Sequence, residues 1–466
     1  MPEPIPVPPK QRVWITRGVL LGVWLVALEG TVVATAMPRV IRDLGGAALY
    51  SLPFTFYMLA MTISGPLWGR FSDLWGRRKP YFGTLVLFLL GSALSGAAWN
   101  MEALVGARTL QGAGAGGLQA LNLTLIGELY PMRERARVQS YISLIWGLSS
   151  VLGPLIGGVI TETLSWRAVF LLAIPVGLLA LTLVGRFYPP WRGTEEAPRI
   201  DGLGALWFSL SGVLGLYGLE SQHWGLVGLA ALLLAVFPRI EARHPMPLLP
   251  LQLLRDGFLR RSLGSNFLGG MAFFGSVAFI PLWGQTALGS SAVEAGLLLT
   301  PLSGGWTLSG LLAARWLPKW GPQRLIRLGA ALITTGFTAW AMLSQSPLYV
   351  QMGCGLLVGL GMGQAMIALL ISTQESVKRT ELGVVTALIF FCRNVGGALG
   401  TALMSALLGR NLFEPAGLLA RFPGVLLFAA ALGLGMLFIG GTLRERPLSA
   451  EGAPDRVQTP QQAIGS

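Results

Sequence analysis

Charge is scarce in this chain. Asp, Glu, Lys and Arg make up 12% of its 466 residues, where a soluble domain carries about 25%. Histidine is scarcer: His223 and His244 are the only two, which excludes a histidine-built metal centre and an H-E-x-x-H hydrolase. Cys354 and Cys392 are the two cysteines. Each lies in an apolar run, so neither a structural disulfide nor redox chemistry is indicated. The four lysines, Lys10, Lys79, Lys319 and Lys378, never follow a glycine, so no P-loop exists to hold ATP. No G-x-S-x-G elbow presents a nucleophile. An enzyme is therefore not expected, nor a catalytic residue, a cofactor or a metal site. Energy for any work must come from an ion gradient or from the substrate's own.

Apolar residues fill the space that charge leaves. They make up 53% of the chain, with 63 glycines, and glycine is commoner in membrane helices than in soluble ones. The class is an all-α polytopic membrane protein. The opening "MPEPIPVPPKQR" is Pro-rich and polar, without the layout of a cleaved signal peptide, so residues 1–14 read as a disordered tail. Runs of about 20 apolar residues mark spanning helices. They fall near 15–37, 49–68, 80–99, 103–127, 138–161 and 166–186, giving a six-helix bundle over 15–186. A second set near 262–286, 293–316, 324–344, 348–372, 382–409 and 423–443 gives another over 262–443. The link 187–261 differs in texture. It is polar at its start, basic at its end and apolar between, with helices expected near 202–219 and 224–238 and a turn around Glu220, Ser221, Gln222 and His223. The total is about fourteen spans, followed by a tail at 444–466.

The basic residues test this topology, because cytoplasmic loops carry the excess of Lys and Arg. With the N-terminus inside, 27 of the 34 fall in inner segments and five in outer ones. The remaining two, Arg108 and Arg393, lie within spans. Both termini are then cytoplasmic. The net charge of +13 is a topology signal rather than a nucleic-acid surface, since that needs basic residues gathered on one face.

An internal repeat is visible. "GRFSDLWGRRK" at Gly69–Lys79 aligns without gaps with "ARWLPKWGPQR" at Ala314–Arg324. Arg70 meets Arg315, Trp75 meets Trp320 and Gly76 meets Gly321, while Asp73 meets Pro318. Weak symmetry between two halves marks transporters built from repeats. The first copy carries Gly69, Asp73, Gly76, Arg77 and Arg78 in the pattern G-x-x-x-D-x-x-G-R-R/K, and here the chain resembles the major facilitator superfamily. "RTLQGAGAG" resembles that family's fourth-helix motif through Arg108, Gln111, Gly112 and Gly114. "GLSSVLGPLIGG" resembles its fifth-helix antiporter motif through Gly147, Gly153, Pro154, Gly157 and Gly158. The central helix pair resembles the fourteen-helix drug:proton antiporter branch. That branch usually has an Asp in its first helix, where this chain has Glu29. The resemblance implies two pseudo-symmetric six-helix bundles with a central two-helix insertion.

Glu29 sits about 13 Å below Pro38 and Arg108 about 9 Å below Glu102, at 1.5 Å per residue. These depths allow a charge pair if helices 1 and 4 face each other. A carboxylate at mid-membrane costs about 2.5–3.5 kcal/mol on insertion scales. Desolvation favours the neutral form of a carboxyl group, and a nearby arginine favours the charged form. Glu29 is expected to take up and release a proton, with Arg108 tuning it. The alternative is a structural ion pair that orients helix 1. The Asp73 loop is too far from a central cavity to bind substrate. The resemblance implies a latch in which Asp73 accepts from backbone N–H groups near Leu382 and Gly383, and Arg77 pairs with Glu128. Pro154 and its glycines suit close helix packing that seals one side. Arg393 is expected to have a structural partner such as a backbone carbonyl.

Helices 1, 4, 7 and 10 line the cavity in the resembling family. Candidates for contact with substrate there are Trp24, Gln119, Asn122, Asn266, Phe274 and Gln364, with Tyr57 on helix 2. The expected activity is export of amphipathic small molecules in exchange for protons, by a monomer in the plasma membrane. The expected partners are the small-molecule or lipid substrate, protons and membrane lipid. Export of a cell-envelope lipid, and import or uniport of a metabolite on the same fold, remain as alternatives.

Overall fold

The computed structural model describes residues 7–130, 132–189, 201–244, 251–377, 382–409 and 414–443. The outermost tail residues 1–6 and 444–466, the polar link 190–200 and the stretch 245–250 lie outside the described residues. The described residues form fourteen α-helices and two short 3-10 turns, with no strand. They are α1 (Pro9–Leu44), α2 (Leu52–Trp75), α3 (Arg78–Gly96), α4 (Met101–Leu129), α5 (Met132–Thr163), α6 (Trp166–Leu171) and α7 (Ala173–Phe187). The central pair is α8 (Gly202–Ser221) and α9 (Trp224–Glu241). Then come α10 (Gly257–Ala287), α11 (Ala292–Met342), α12 (Leu348–Glu375), α13 (Leu382–Leu408) and α14 (Pro415–Gly441).

Eleven of the described helical segments are long and apolar enough to cross a membrane. The central pair is among them. α3, α4 and the first arm of α11 are not. The reason is visible in α4, which carries Glu102, Arg108, Gln111, Gln119, Asn122 and Glu128. A helix surrounded by other helices can hold polar residues that a lipid-facing one cannot.

Several boundaries shift from the sequence expectation, α2 running on to Trp75 and α14 starting at Pro415 among them, and three further changes bear on the architecture. α1 begins at Pro9, so residues 9–14 are helix rather than disordered tail. Proline suits the first helical position because its missing N–H has no partner to lose. Arg12 then sits over the Tyr130 ring at 4.8 Å and pairs with Glu134 at 3.4 Å. The span expected at 166–186 breaks at Leu172 into α6 and α7. Pro175 has no N–H to reach the Leu171 carbonyl four residues back. The spans expected at 293–316 and 324–344 run on as α11, bent at Gly321.

The same packing recurs in the two sets of helices. α1 lies against α5 and α7, as α10 lies against α13 and α14. α4 lies against α2 and α3, as α12 lies against α11. The turns between the second and third helices match in detail: Gly76 has φ 75° and ψ 169°, and Gly321 has φ 74° and ψ 159°. Residues with a Cβ are essentially barred from this region, which explains why glycine is kept in a repeat that loses Asp73. The pair α8–α9 packs on α2 and α13, across the seam between the sets.

Helix alternation gives the bundle two ends, here named the Asp73 face and the Asn100 face. Three hydrogen bonds between the sets lie toward the Asn100 face. The Tyr50 hydroxyl donates to the Ala278 carbonyl at 2.6 Å. Gln285 donates to the Thr35 carbonyl at 3.0 Å, and the Val293 N–H to Glu162 at 3.0 Å. Ser150 and Thr307 share a hydrogen bond of 3.2 Å nearer mid-depth. A polar recess of about 370 Å³ opens beside these bonds, lined in part by Arg39, Asp43, Glu162, Trp166, Gln285 and Ser291.

Gly76→Ala and Gly321→Ala are each expected to cost about 1–3 kcal/mol of stability. Gly353→Ala, where a Cβ would meet open space on α12, is expected to be neutral or to gain up to about 1 kcal/mol from helix propensity. Thermal unfolding of the purified protein in detergent checks the contrast.

Candidate functional site

The site is built from α1, α2 and α4. α4 is capped by Asn100, whose side chain accepts from the Ala103 N–H at 2.8 Å. Its glycines then let it approach α2 closely. A Cβ at Gly112 would strike the Tyr57 backbone. This approach brings Arg108 beside α1, where Glu29 lies among apolar neighbours at 6% exposure.

Arg108 and Glu29 form an ion pair, Nη1 donating to Oε1. The same Nη1 donates to Gln111 Oε1 at 2.6 Å. Nε reaches the Pro53 carbonyl at 3.4 Å. The guanidinium lies over the Tyr57 ring at 4.2 Å and faces Phe170 at 5.8 Å. Arg108 is 2% exposed, so the pair is nearly dry, and its attraction is strong there for the same reason that each ion alone would be costly. Two polar atoms beside it, Tyr57 Oη and Gln111 Nε2, are buried with no hydrogen-bond partner among the described residues. A crevice of about 10 Å³ borders Glu29, lined partly by Trp24, Leu28, Val169 and Leu172. That is room for a single water at most.

In the sequence Gln111 stands out only as a motif position. Its spacing of three from Arg108 puts both on one helical face, which is the signal that could have placed it in the site.

The Asp73 loop forms a separate cluster. Arg77 pairs with Glu128 at 2.6 Å and with Asp73 at 2.5 Å, and also donates to Ser72 at 2.7 Å. Tyr188 donates to the other Glu128 oxygen at 3.0 Å. Arg78 donates to the Gly185 carbonyl. Arg77 and Glu128 thereby tie the α2–α3 turn to the end of α4, and Arg78 ties it to α7. Residues 378–381, just ahead of Leu382 and Gly383, lie outside the described residues. A Cβ at Gly69 would meet open space, so nothing touching Gly69 in this state requires glycine.

The helix 5 motif touches both sets of helices. Gly153 and Gly157 face Thr31 and Thr35 of α1, while Gly147 faces Thr307 of α11. Gly158 meets the Ala292 and Val293 backbone, and the Pro154 carbonyl faces Gly296.

The cavity candidates do not converge. Tyr57 joins the Glu29–Arg108 pair and Trp24 lines its crevice. Asn122 accepts from the Tyr81 hydroxyl at 3.1 Å, and Asn266 donates to the Ser262 carbonyl of its own helix at 3.0 Å. Phe274 packs edge-on against Phe273 at 5.3 Å. Gln119 is half-buried, and Gln364 is buried with Oε1 unpartnered among the described residues. Arg393 lies over the Phe390 ring at 4.6 Å, and its Nε has no hydrogen-bond partner among the described residues. A ring face, rather than a carbonyl, is what it meets. By sequence Glu220 falls with the polar turn residues Ser221, Gln222 and His223. It is instead buried in the last turn of α8.

Arg108→Ala is expected to cost about 3–5 kcal/mol, because it leaves a buried carboxylate unpaired. Adding Glu29→Gln is expected to restore most of that. A double-mutant cycle of unfolding in detergent measures the coupling.

Residues 19–401 match the family model described as Major Facilitator Superfamily. The Bacillus subtilis (strain 168) protein named multidrug transporter protein MdtP is 31% identical over 411 residues, covering 85% of this chain and 75% of that one. Multidrug resistance protein 3 of the same organism is 28% identical over 401 residues, covering 84% and 78%. Among solved structures, the human organic anion transporter MFSD10 aligns with a TM-score of 0.64 at 16% identity, covering 93% of this chain and 100% of that one. A D-xylose-proton symporter aligns with a TM-score of 0.67 at 18% identity, covering 93% and 97%. At such identities these two structures speak to the fold alone. The protein is thus a multi-pass, all-helical membrane transporter rather than an enzyme, and it belongs to the major facilitator superfamily.

Proposed function

We propose that this chain is a proton-coupled exporter of amphipathic small molecules, working by alternating access in the plasma membrane. The observation that carries the reading is the Glu29–Arg108 pair, a carboxylate and a guanidinium buried together where a membrane protein keeps ionisable groups for use. The names of the Bacillus subtilis relatives support a multidrug substrate range. Fourteen spans follow if α3, α4 and the first arm of α11 cross alongside the eleven apolar segments. The excess of basic residues on the Asp73 face puts that face and both termini in the cytoplasm. The domains are then a six-helix bundle over 15–186, a central pair within 187–261 and a six-helix bundle over 262–443.

In this orientation the Tyr50–Ala278, Thr35–Gln285 and Glu162–Val293 bonds close the outer side. When the bundles rock, those bonds break and water reaches the pair from outside. A proton then joins Glu29, and Arg108 turns toward Gln111 and Pro53, which already accept from it. Return to the inward state re-forms the pair and releases the proton. A membrane potential supplies about 2.3 kcal/mol per charge per 100 mV. Tyr57, with its unpartnered hydroxyl beside Arg108, is the first candidate for substrate contact. Trp24, Gln119, Asn122, Asn266, Phe274 and Gln364 are weaker ones. Gly69, Asp73, Gly76, Arg77, Arg78 and Glu128 latch the inner side in the outward state. The Gly147–Gly158 motif seals α5 against α11.

Three outcomes are expected. In proteoliposomes, Glu29→Gln abolishes substrate movement driven by an imposed pH gradient while leaving exchange at equal pH. Coupling that survives in this variant sinks the reading. In an efflux-deficient host the wild type raises resistance to several amphipathic compounds, and an uncoupler removes the effect. Import of a metabolite, or resistance indifferent to the uncoupler, points to the rival activities. Gly69→Leu, with open space around it in this state, leaves folding intact but slows transport severalfold, read as initial uptake rate against thermal stability.

A further inference from the structure

The central pair α8–α9 brings a second buried carboxylate into the seam. Glu220 is 7% exposed, although α8 ends one residue later at Ser221, and Gln222 and His223 turn the chain at the Asn100 face. Its Oε1 accepts from the Ser51 N–H at 3.2 Å, at the start of α2, where unsatisfied N–H groups favour a negative group. Its Oε2 accepts from the Ser51 hydroxyl. Its Oε1 also accepts from the Ser405 hydroxyl at 3.0 Å, near the end of α13. Ser51 is fully buried and Ser405 is 6% exposed. One carboxylate thus holds an early helix and a late helix together, from an element belonging to neither set.

Among the described residues no cation pairs with it. The charged and titratable groups on the surrounding elements are otherwise engaged or exposed. Tyr50 donates to the Ala278 carbonyl, and Arg421 of α14 donates to the Leu408 carbonyl. His223 and Glu414 are exposed. On α2, Tyr57 lies six residues past Ser51, and its ring faces Arg108. On α13, Cys392 and Arg393 lie at least twelve residues from Ser405, about 18 Å along the helix. On α9, Arg239 and Glu241 stand at the opposite end.

We infer that Glu220 is a second coupling carboxyl: ionised, it clamps α2 to α13 and holds the Asn100 face shut, and protonation from that side releases the clamp. As a carboxylate it is an acceptor only and can satisfy all three donors. As a carboxylic acid one oxygen becomes a donor, to which the Ser51 hydroxyl can turn as acceptor, but the bonds from the Ser51 N–H and the Ser405 hydroxyl then end on a neutral oxygen and lose the charge assistance that made the hold on α13 strong. Water one turn away on the Asn100 face supplies the proton. The inference rests on the alternating-access part of the transport reading, but not on Glu29 as the coupling site.

The test is a distance measurement between spin labels at Ala48→Cys and Leu407→Cys, exposed positions beside Ser51 and Ser405, with Cys354 and Cys392 changed to serine. In proteoliposomes, lowering the pH is expected to shift the distribution toward longer distances. Glu220→Gln is expected to abolish that pH response, and Glu220→Ala or Ser405→Ala to raise the long-distance population at every pH. The response is expected to persist with Glu29→Gln. A wild-type pH response in Glu220→Gln, or an unchanged closed population in Glu220→Ala, overturns the inference. A response lost with Glu29→Gln but kept with Glu220→Gln overturns the clamp and leaves the proton role of Glu29 standing. Loss with Glu220→Gln alongside intact pH-driven transport in Glu29→Gln does the reverse.

Discussion

The dry pairing of Glu29 with Arg108 is the constraint around which the first set of helices is arranged. Neither ion is tolerable alone in such surroundings, and the pair offsets its desolvation only when its geometry is held and its remaining hydrogen-bonding capacity is met. Gln111, the Pro53 carbonyl and the face of Tyr57 meet that need for Arg108. Each depends on α4 lying close against α2, which glycine at 112 permits. The leftover hydroxyl of Tyr57 and amide of Gln111 mark where this network is incomplete. A substrate's polar group or a water would find partners there.

The two sets of helices repeat a packing scheme but not a chemistry. Gly76 and Gly321 share one backbone conformation, because the turn that joins the second and third helices demands it in both copies. Asp73 and Glu29 have no such counterparts in the late set. Its arginine, Arg393, lies on a phenylalanine ring instead of a carboxylate. Backbone geometry is retained by folding in each copy, while a charged pair is needed only once. The central pair α8–α9 adds a carboxylate at a place that the repeat leaves without one, where α2 and α13 meet.

Helix existence was legible at nearly every position, because spanning a bilayer forces long apolar runs and internal backbone hydrogen bonding. Boundaries were less so. Pro9 reads as a disordered tail until Arg12 is seen on Tyr130 and Glu134, more than a hundred residues away. The break at Leu172 depends on one proline three residues further on. The depths of Glu29 and Arg108 were readable from residue counting along a helix. The grouping of Tyr57 with them was not, since it required knowing how α2 is rotated.

What the sequence determined by itself was the membrane class, the apolar segments and the motifs that mark the family, because each follows from local composition and spacing. Only the tertiary structure decided which polar groups share a site. It paired Glu29 with Arg108 over Tyr57, left Asn122 and Asn266 to structural bonds, and drew Glu220 from an apparent turn into the seam between Ser51 and Ser405. The physical reason is that a helix keeps its composition however it turns about its axis. The partner of a buried charge is set by that rotation and by close contacts made over distances of 79 to 185 residues along the chain.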